Sequence, residues 1–141
     1  MYVECAQIRR EFGFRTALAG TLIRLGQVLL QEGDAIQSKK LAEESLEIFR
    51  DLNIPDMQVY CLNLLAGAAG IDRQDARAAR LFGAAEAATR ILVVETDEFY
   101  HVTYDPIIAA ARDRLGDTDF DKMWAEGQKL SLEQALELAL D

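Results

Sequence analysis

The chain has 141 residues, half of them hydrophobic, and a formal net charge of −9. That length suffices for one domain with a real core, and the apolar content excludes intrinsic disorder. No apolar run approaches the ~20 residues that span a bilayer, and Met1-Tyr2-Val3-Glu4-Cys5 lacks the basic-then-apolar order of a secretory signal. Residues 93–141 hold 4 basic and 12 acidic side chains, an acidic surface that repels phosphate backbones and argues against direct DNA or RNA binding.

Alanine, leucine and glutamate favour helix, and the only prolines are Pro55 and Pro106. Residues 1–13 are expected to form a helix with Cys5, Ile8 and Phe12 on one side, the lone second helix of a preceding pair. A repeat helix cannot bury its apolar face alone, so the chain is expected to begin inside a longer array. Residues 16–52 read as two helices around a break at Gly33-Asp34. Leu18, Leu22, Leu25 and Leu29 form one stripe, and Leu41, Ser45, Leu46 and Phe49 form the other. Asn53-Ile54-Pro55-Asp56 ends the second helix, with Asp56 able to cap the next.

The pair then recurs. Val59, Leu62, Leu65 and Ala69 line one helix. Asp72-Arg73-Gln74-Asp75 makes the turn, and Ala78, Leu81, Phe82 and Ala85 line the partner. Gly26 corresponds to Ala66, and small residues at such points let paired helices approach closely.

In the last third, Thr96 can cap a helix beginning Asp97-Glu98-Phe99. Pro106 either opens a fresh helix capped by Asp105 or kinks a single one that ends at Leu115-Gly116. Thr118-Asp119-Phe120-Asp121 starts a further helix carrying Met123 and Trp124. Ser131 and Gln134 have capping-box spacing, and Leu132, Ala135, Leu136 and Ala139 share a side of the last helix. The whole reads as an all-α, antiparallel helical repeat array (an α-solenoid) of seven or eight helices. Residues 1–92 are the repeats, with 1–14 the remnant of a preceding one. Residues 93–141 are capping helices of the same domain.

Leu25-Gly26, Gly33-Asp34 and the small residues Ser38 and Ala78 resemble the tetratricopeptide repeat, stretched to an irregular 40-residue unit. Two further stretches are more specific: Ala78-Ala79-Arg80-Leu81-Phe82-Gly83-Ala84-Ala85-Glu86-Ala87, and Leu115-Gly116, then Phe120, then Trp124-Ala125-Glu126-Gly127, then Leu130-Ser131-Leu132-Glu133-Gln134-Ala135. These resemble the C-terminal repeat region of large bacterial regulatory ATPases of the STAND type, which carry LuxR-type DNA-binding or adenylate cyclase domains elsewhere. The resemblance implies a non-catalytic protein-interaction or sensing module of a transcriptional or signalling regulator, in the cytoplasm, with no cofactor. Its partner would be a protein, a peptide or another domain of the parent. The alternative is a small-ligand sensor with its pocket in the groove or beside Trp124.

By that resemblance, Gly20, Ile23, Gln27 and Leu30 face a concave groove from the first unit, and Tyr60, Asn63 and Gly67 from the second. The lining suits an apolar or neutral peptide, or a neighbouring helix. Arg73, Arg77 and Arg80 form a basic stripe that either meets the acidic last third or lies in solvent. Glu98 and His101 stand at i, i+3, but a di-iron bundle needs two such pairs, and no metal is expected. Asp117, Asp119 and Asp121 lack the glycine and glutamate of a calcium loop. No catalytic motif surrounds Cys5, Cys61 or His101. An open apolar face beside Cys5, Ile8 and Phe12 suggests a homodimer through the N-terminal helix.

Overall fold

The computed structural model describes the backbone of residues 2–141 and the side chains from residue 10 onward. Among the described residues seven helices follow one another: α1 (Tyr2–Gln31), α2 (Ala35–Asp51), α3 (Pro55–Ile71), α4 (Asp75–Leu92), α5 (Glu98–Leu115), α6 (Asp117–Gln128) and α7 (Leu132–Leu140). The described residues include no strand, and the all-α reading holds.

The helix ends show the repeat most directly. Gly33, Asn53, Arg73 and Val93 all have left-handed φ, at 83°, 55°, 60° and 54°, each twenty positions after the last. The residue after each closes the helix with the same bond. Asp34 N–H donates to the Leu29 carbonyl at 2.8 Å, and Ile54 to Phe49 at 3.0 Å. Gln74 donates to Ala69 and Val94 to Thr89, both at 2.9 Å. This six-to-one bond is the Schellman closure of a helix. Two such helix–turn steps make the 40-residue unit.

Each of α1 to α4 packs on the next, and α3 also packs on α1. At the first crossing the Ser38 hydroxyl donates to the Gly26 carbonyl at 3.0 Å, and a Cβ on Gly26 would stand 3.0 Å from a Leu64 methyl. These close approaches set the rotation of α1. It buries Ala19, Ile23, Gly26, Gln27 and Leu30, one position round from the expected leucine stripe. Leu18 and Leu25 of that stripe are exposed, at 42% and 47%.

The expected break near residue 14 is absent, because α1 is one helix from Tyr2 to Gln31. A single interior glycine costs a helix only ~1 kcal/mol, too little to stop it. The Thr16 hydroxyl also donates back to the Phe12 carbonyl across the junction. Phe12 is 47% exposed, and the Cys5 and Ile8 side chains lie outside the described residues.

Three helix starts differ from expectation. Pro55 occupies the first turn of α3 and Ile54 precedes it, leaving Asp56 inside the helix. Asp97, not Thr96, caps α5, its carboxylate accepting the Tyr100 N–H at 2.8 Å. Gly116, at φ 92°, precedes α6, which begins at Asp117. Pro106 sits within a single α5, and Ser131 and Gln134 form the expected capping box.

Helix α3 is surrounded by α1, α2, α4, α5 and α7, so every residue from Cys61 to Gly70 is buried. Phe49, Leu62, Leu64, Phe82, Tyr104 and Leu136 fill the core around it.

Candidate functional site

The inner faces of α1 and α3 would form the concave side of a two-unit array. Here α5 occupies it. The Tyr100 hydroxyl donates to the Asn63 side-chain oxygen at 3.1 Å. Tyr104 packs over Gly67, where a Cβ would come within 3.2 Å of its ring, and Ile107 packs over Gly70, where a Cβ would stand 2.5 Å from its methyl. The pairs 63 with 100, 67 with 104 and 70 with 107 advance together, so α5 runs parallel to α3. Two glycines on α3 provide the room for a tyrosine and an isoleucine on α5. Leu30 and Asn63 therefore lie beneath α5, at 2% and 1% exposure; Asn63 lines no open groove, and Leu30 meets the surface only at the floor of a second cleft beside α5.

What remains open is one cleft at the start of α5 and another along its middle and later turns. The first, about 350 Å³, brings Gly20, Ile23 and Gln27 of α1 together with Met57, Tyr60 and Tyr100. Four of the sequence-selected residues, Gly20, Ile23, Gln27 and Tyr60, thus converge. The rim is charged with both signs. Arg24 reaches Asp97 at 3.5 Å and lies 4.4 Å above the Phe99 ring. The Tyr60 hydroxyl donates to the Glu95 carbonyl at 2.7 Å.

Burial, then the charges of Asp97, Glu95 and Asp56, push the Tyr60 hydroxyl up, while burial takes Tyr100 to about 12. The Tyr100 backbone N–H, and behind it Arg24, hold the Asp97 carboxyl below its ordinary range. Both phenols are thus neutral donors near pH 7. The second cleft, about 430 Å³, lies over Leu30, Gln31, Val102, Pro106 and Arg114, with Gln31 bonded to the Thr103 hydroxyl at 2.8 Å.

The three arginines do not form a solvated row. Arg77 donates to the carbonyls of Leu138 and Ala139, completing the open end of α7, and Arg80 pairs with Glu126 at 2.8 Å. A cation at the carbonyl end of a helix also suits its dipole. Arg73 stands apart, in the left-handed turn before α4. Trp124 stacks on Phe120, ring centres 5.7 Å apart, and packs into the core between α4 and α6. Arg112 lies over the other aromatic, Phe120, and pairs with Asp117 and Asp121 at 3.3 and 3.0 Å.

His101 faces Asp105 at 3.2 Å rather than Glu98. Among the described residues no three His, Cys, Asp or Glu side chains converge on one point. The Cys61 thiol is fully buried, 3.2 Å from the Ser45 hydroxyl, and burial pushes it up to about 12, far from a nucleophilic thiolate. No described helix is long and apolar enough to cross a membrane.

Sequence reasoning missed Arg24, Asp97 and Tyr100 at the cleft. The signal was present in α5, where Tyr100, Tyr104, Ile107 and Ala111 repeat at helical spacing, a buried stripe ready to cover a second surface.

No family model matches the chain, and no solved structure does. It is similar to a protein of Mycobacterium bovis and to proteins from two strains of Mycobacterium tuberculosis, each provisionally named an HTH-type transcriptional regulator. Each is 30% identical over 113 residues, which is 80% of this chain and 13% of the relative. The chain thus spans about 13% of the length of these curated relatives.

Proposed function

We propose that this chain is the non-catalytic, partner-sensing helical-repeat region of a bacterial transcriptional or signalling regulator of the STAND type. The likeness to HTH-type regulators over 80% of the chain supports the regulator part of this reading. The two signature stretches behind the resemblance add to it, because they pack against each other. Gly83 lies against Trp124, Gly127 against Arg80, and the Gln128 amide donates to the Gly83 carbonyl at 2.6 Å. Such a module responds to a protein, a peptide or another domain of its parent, and its own α5 already occupies the groove where a tetratricopeptide array would hold a peptide.

A second reading is favoured by the cleft under Arg24 and Tyr60. Its size and its mixture of apolar floor and polar rim suit a small ligand. Under either reading the cleft at the start of α5 is where binding would be felt, since Tyr100 joins the cleft floor to Asn63 in the core.

Transcript profiling tests the reading. The comparison is between a strain lacking the gene, one expressing its product unchanged, and one carrying Arg24→Glu with Tyr60→Ala at the cleft. The deletion should alter a defined set of transcripts, and the double variant should alter part of that set while its product accumulates normally. A deletion that leaves the transcript profile untouched would overturn the proposal.

A further inference from the structure

The left-handed residues that end the helices fall at 33, 53, 73 and 93. One further step back along the same register is Gly13. Glycine is the residue best suited to that conformation, yet Gly13 lies inside α1, and a Cβ there would meet nothing within 4 Å. The straight helix has no packing use for a glycine at this point.

The outer face of α1 beyond Gly13 is also incompletely covered. Phe14, Leu18, Leu25 and Val28 fall on one stripe with Thr21, and the four apolar residues are 69%, 42%, 47% and 37% exposed. Forty residues later the same stripe is Ile54, just before α3, and Gln58, Cys61, Leu65 and Ala68 on it. There it packs on α2, with Cys61 fully buried, Leu65 3% exposed and Ala68 5% exposed. The repeat itself thus states what belongs on the outer face of α1: a helix placed as α2 is, joined through a turn at residue 13. Residues 2–12 have that position in the chain. As a helix they would be about 16 Å long, which matches the run from Phe14 to Leu25.

We propose that Gly13 is a hinge, and that residues 2–12 fold back as a separate helix onto the outer face of α1, covering Phe14, Leu18 and Leu25. The continuous α1 is the open form, which presents this apolar face. The exchange between them turns on one residue: its helical conformation opens the face, and its left-handed conformation closes it.

The register supplies a direct test. Ser45 and Cys61 touch at 3.2 Å, and their counterparts forty residues earlier are Cys5 and Thr21. In the straight helix those two positions are about 24 Å apart, far beyond the ~7 Å between Cα atoms that a disulfide tolerates. Thr21 is exposed, so Thr21→Cys leaves the packing intact. Under mild oxidation, with peptide mapping under non-reducing conditions, this variant should form a bond to Cys5 within one chain. Adding Gly13→Ala, which favours helix and disfavours the left-handed turn, should slow that bond at least tenfold. Absence of the internal bond in a variant with unchanged helical circular dichroism would overturn the proposal. So would a bond formed only between two chains, which would give the face to a second copy, or a rate indifferent to Gly13→Ala.

Discussion

A Cβ built on Gly83 would run into the backbone carbonyl of Trp124, so α4 and α6 meet main chain to main chain at these two residues. One turn away the relation is reciprocal, because a Cβ on Gly127 would run into the carbonyl of Arg80. Side chains can rotate away from an intruding methyl, but backbone carbonyls within helices cannot. Gly83→Ala and Gly127→Ala should therefore each destabilise the protein by about 3 kcal/mol, the upper end of what overpacking costs. Thermal unfolding followed by circular dichroism should show the midpoint lower by roughly 10 °C. A midpoint within a degree or two of wild type would mean that the two helices separate freely.

Val93 has the least suitable side chain for its backbone. Its φ of 54° is a conformation that a β-branched residue rarely adopts, and the side chain is 84% exposed, so packing offers no compensation. Val93→Gly should stabilise the fold by about 1 kcal/mol, less than the strain removed because glycine frees the unfolded chain. A higher urea midpoint with unchanged slope would be the signature, and a lower midpoint would show that the Val93 side chain has a use.

The pH dependence follows from buried acids that must stay protonated, among them Cys61, Tyr100 and Tyr104. Burial takes Cys61 from an ordinary 9.0 to about 12 and Tyr100 from 10.0 to about 12. A weak acid whose folded value is raised contributes nothing to the slope below its unfolded value. Above it, the unfolded chain releases a proton that the folded chain keeps, and stability falls as pH rises. From Cys61 alone the loss should begin near pH 9 and run to about 12, at roughly 1 kcal/mol per pH unit. Urea titrations at pH 8, 9 and 10 should show a flat region and then a decline. Cys61→Ala should lower stability throughout but shrink the decline between 9 and 10, the buried tyrosines supplying what remains.

The parts of the fold legible in sequence were those written locally. Gly33-Asp34 and Ser131 with Gln134 carry their own chemistry, and the match of Gly26 to Ala66 gave the spacing that the left-handed turns at Gly33 and Arg73 repeat. The rotation of α1 was not legible from its leucines, because Gly26 and Ser38 decide it across a helix crossing. The place of α5 was hidden for the same reason. Gly67 and Gly70 announce that something approaches α3, but only the tertiary structure says that it is Tyr104 and Ile107. At the cleft, Ile23, Gln27 and Tyr60 were found because repeat geometry places them. Arg24 and Asp97 were missed because their meeting joins α1 to the start of α5, far apart in the chain.

Pro106 tests whether α5 is merely a cover. Proline has no N–H to give to the Val102 carbonyl four residues earlier, and its ring crowds that carbonyl, so the middle of α5 lacks a helical bond that every neighbouring turn makes. Pro106 is exposed, and Val102 is 56% exposed, so both lie at the open second cleft and not in the core. Pro106→Ala should restore the bond without disturbing Tyr104 or Ile107, raising stability by about 1–2 kcal/mol, somewhat below the full interior penalty because water now solvates the free carbonyl. Hydrogen exchange should show the amides of residues 102–110 slowed in the variant. Crystallography of the variant should show the new N–H at position 106 bonded to the Val102 carbonyl. If stability instead falls, the proline ring itself packs productively against the cleft. If stability rises while transcriptional output is lost, the unbonded turn in α5 is the part of the module that must move.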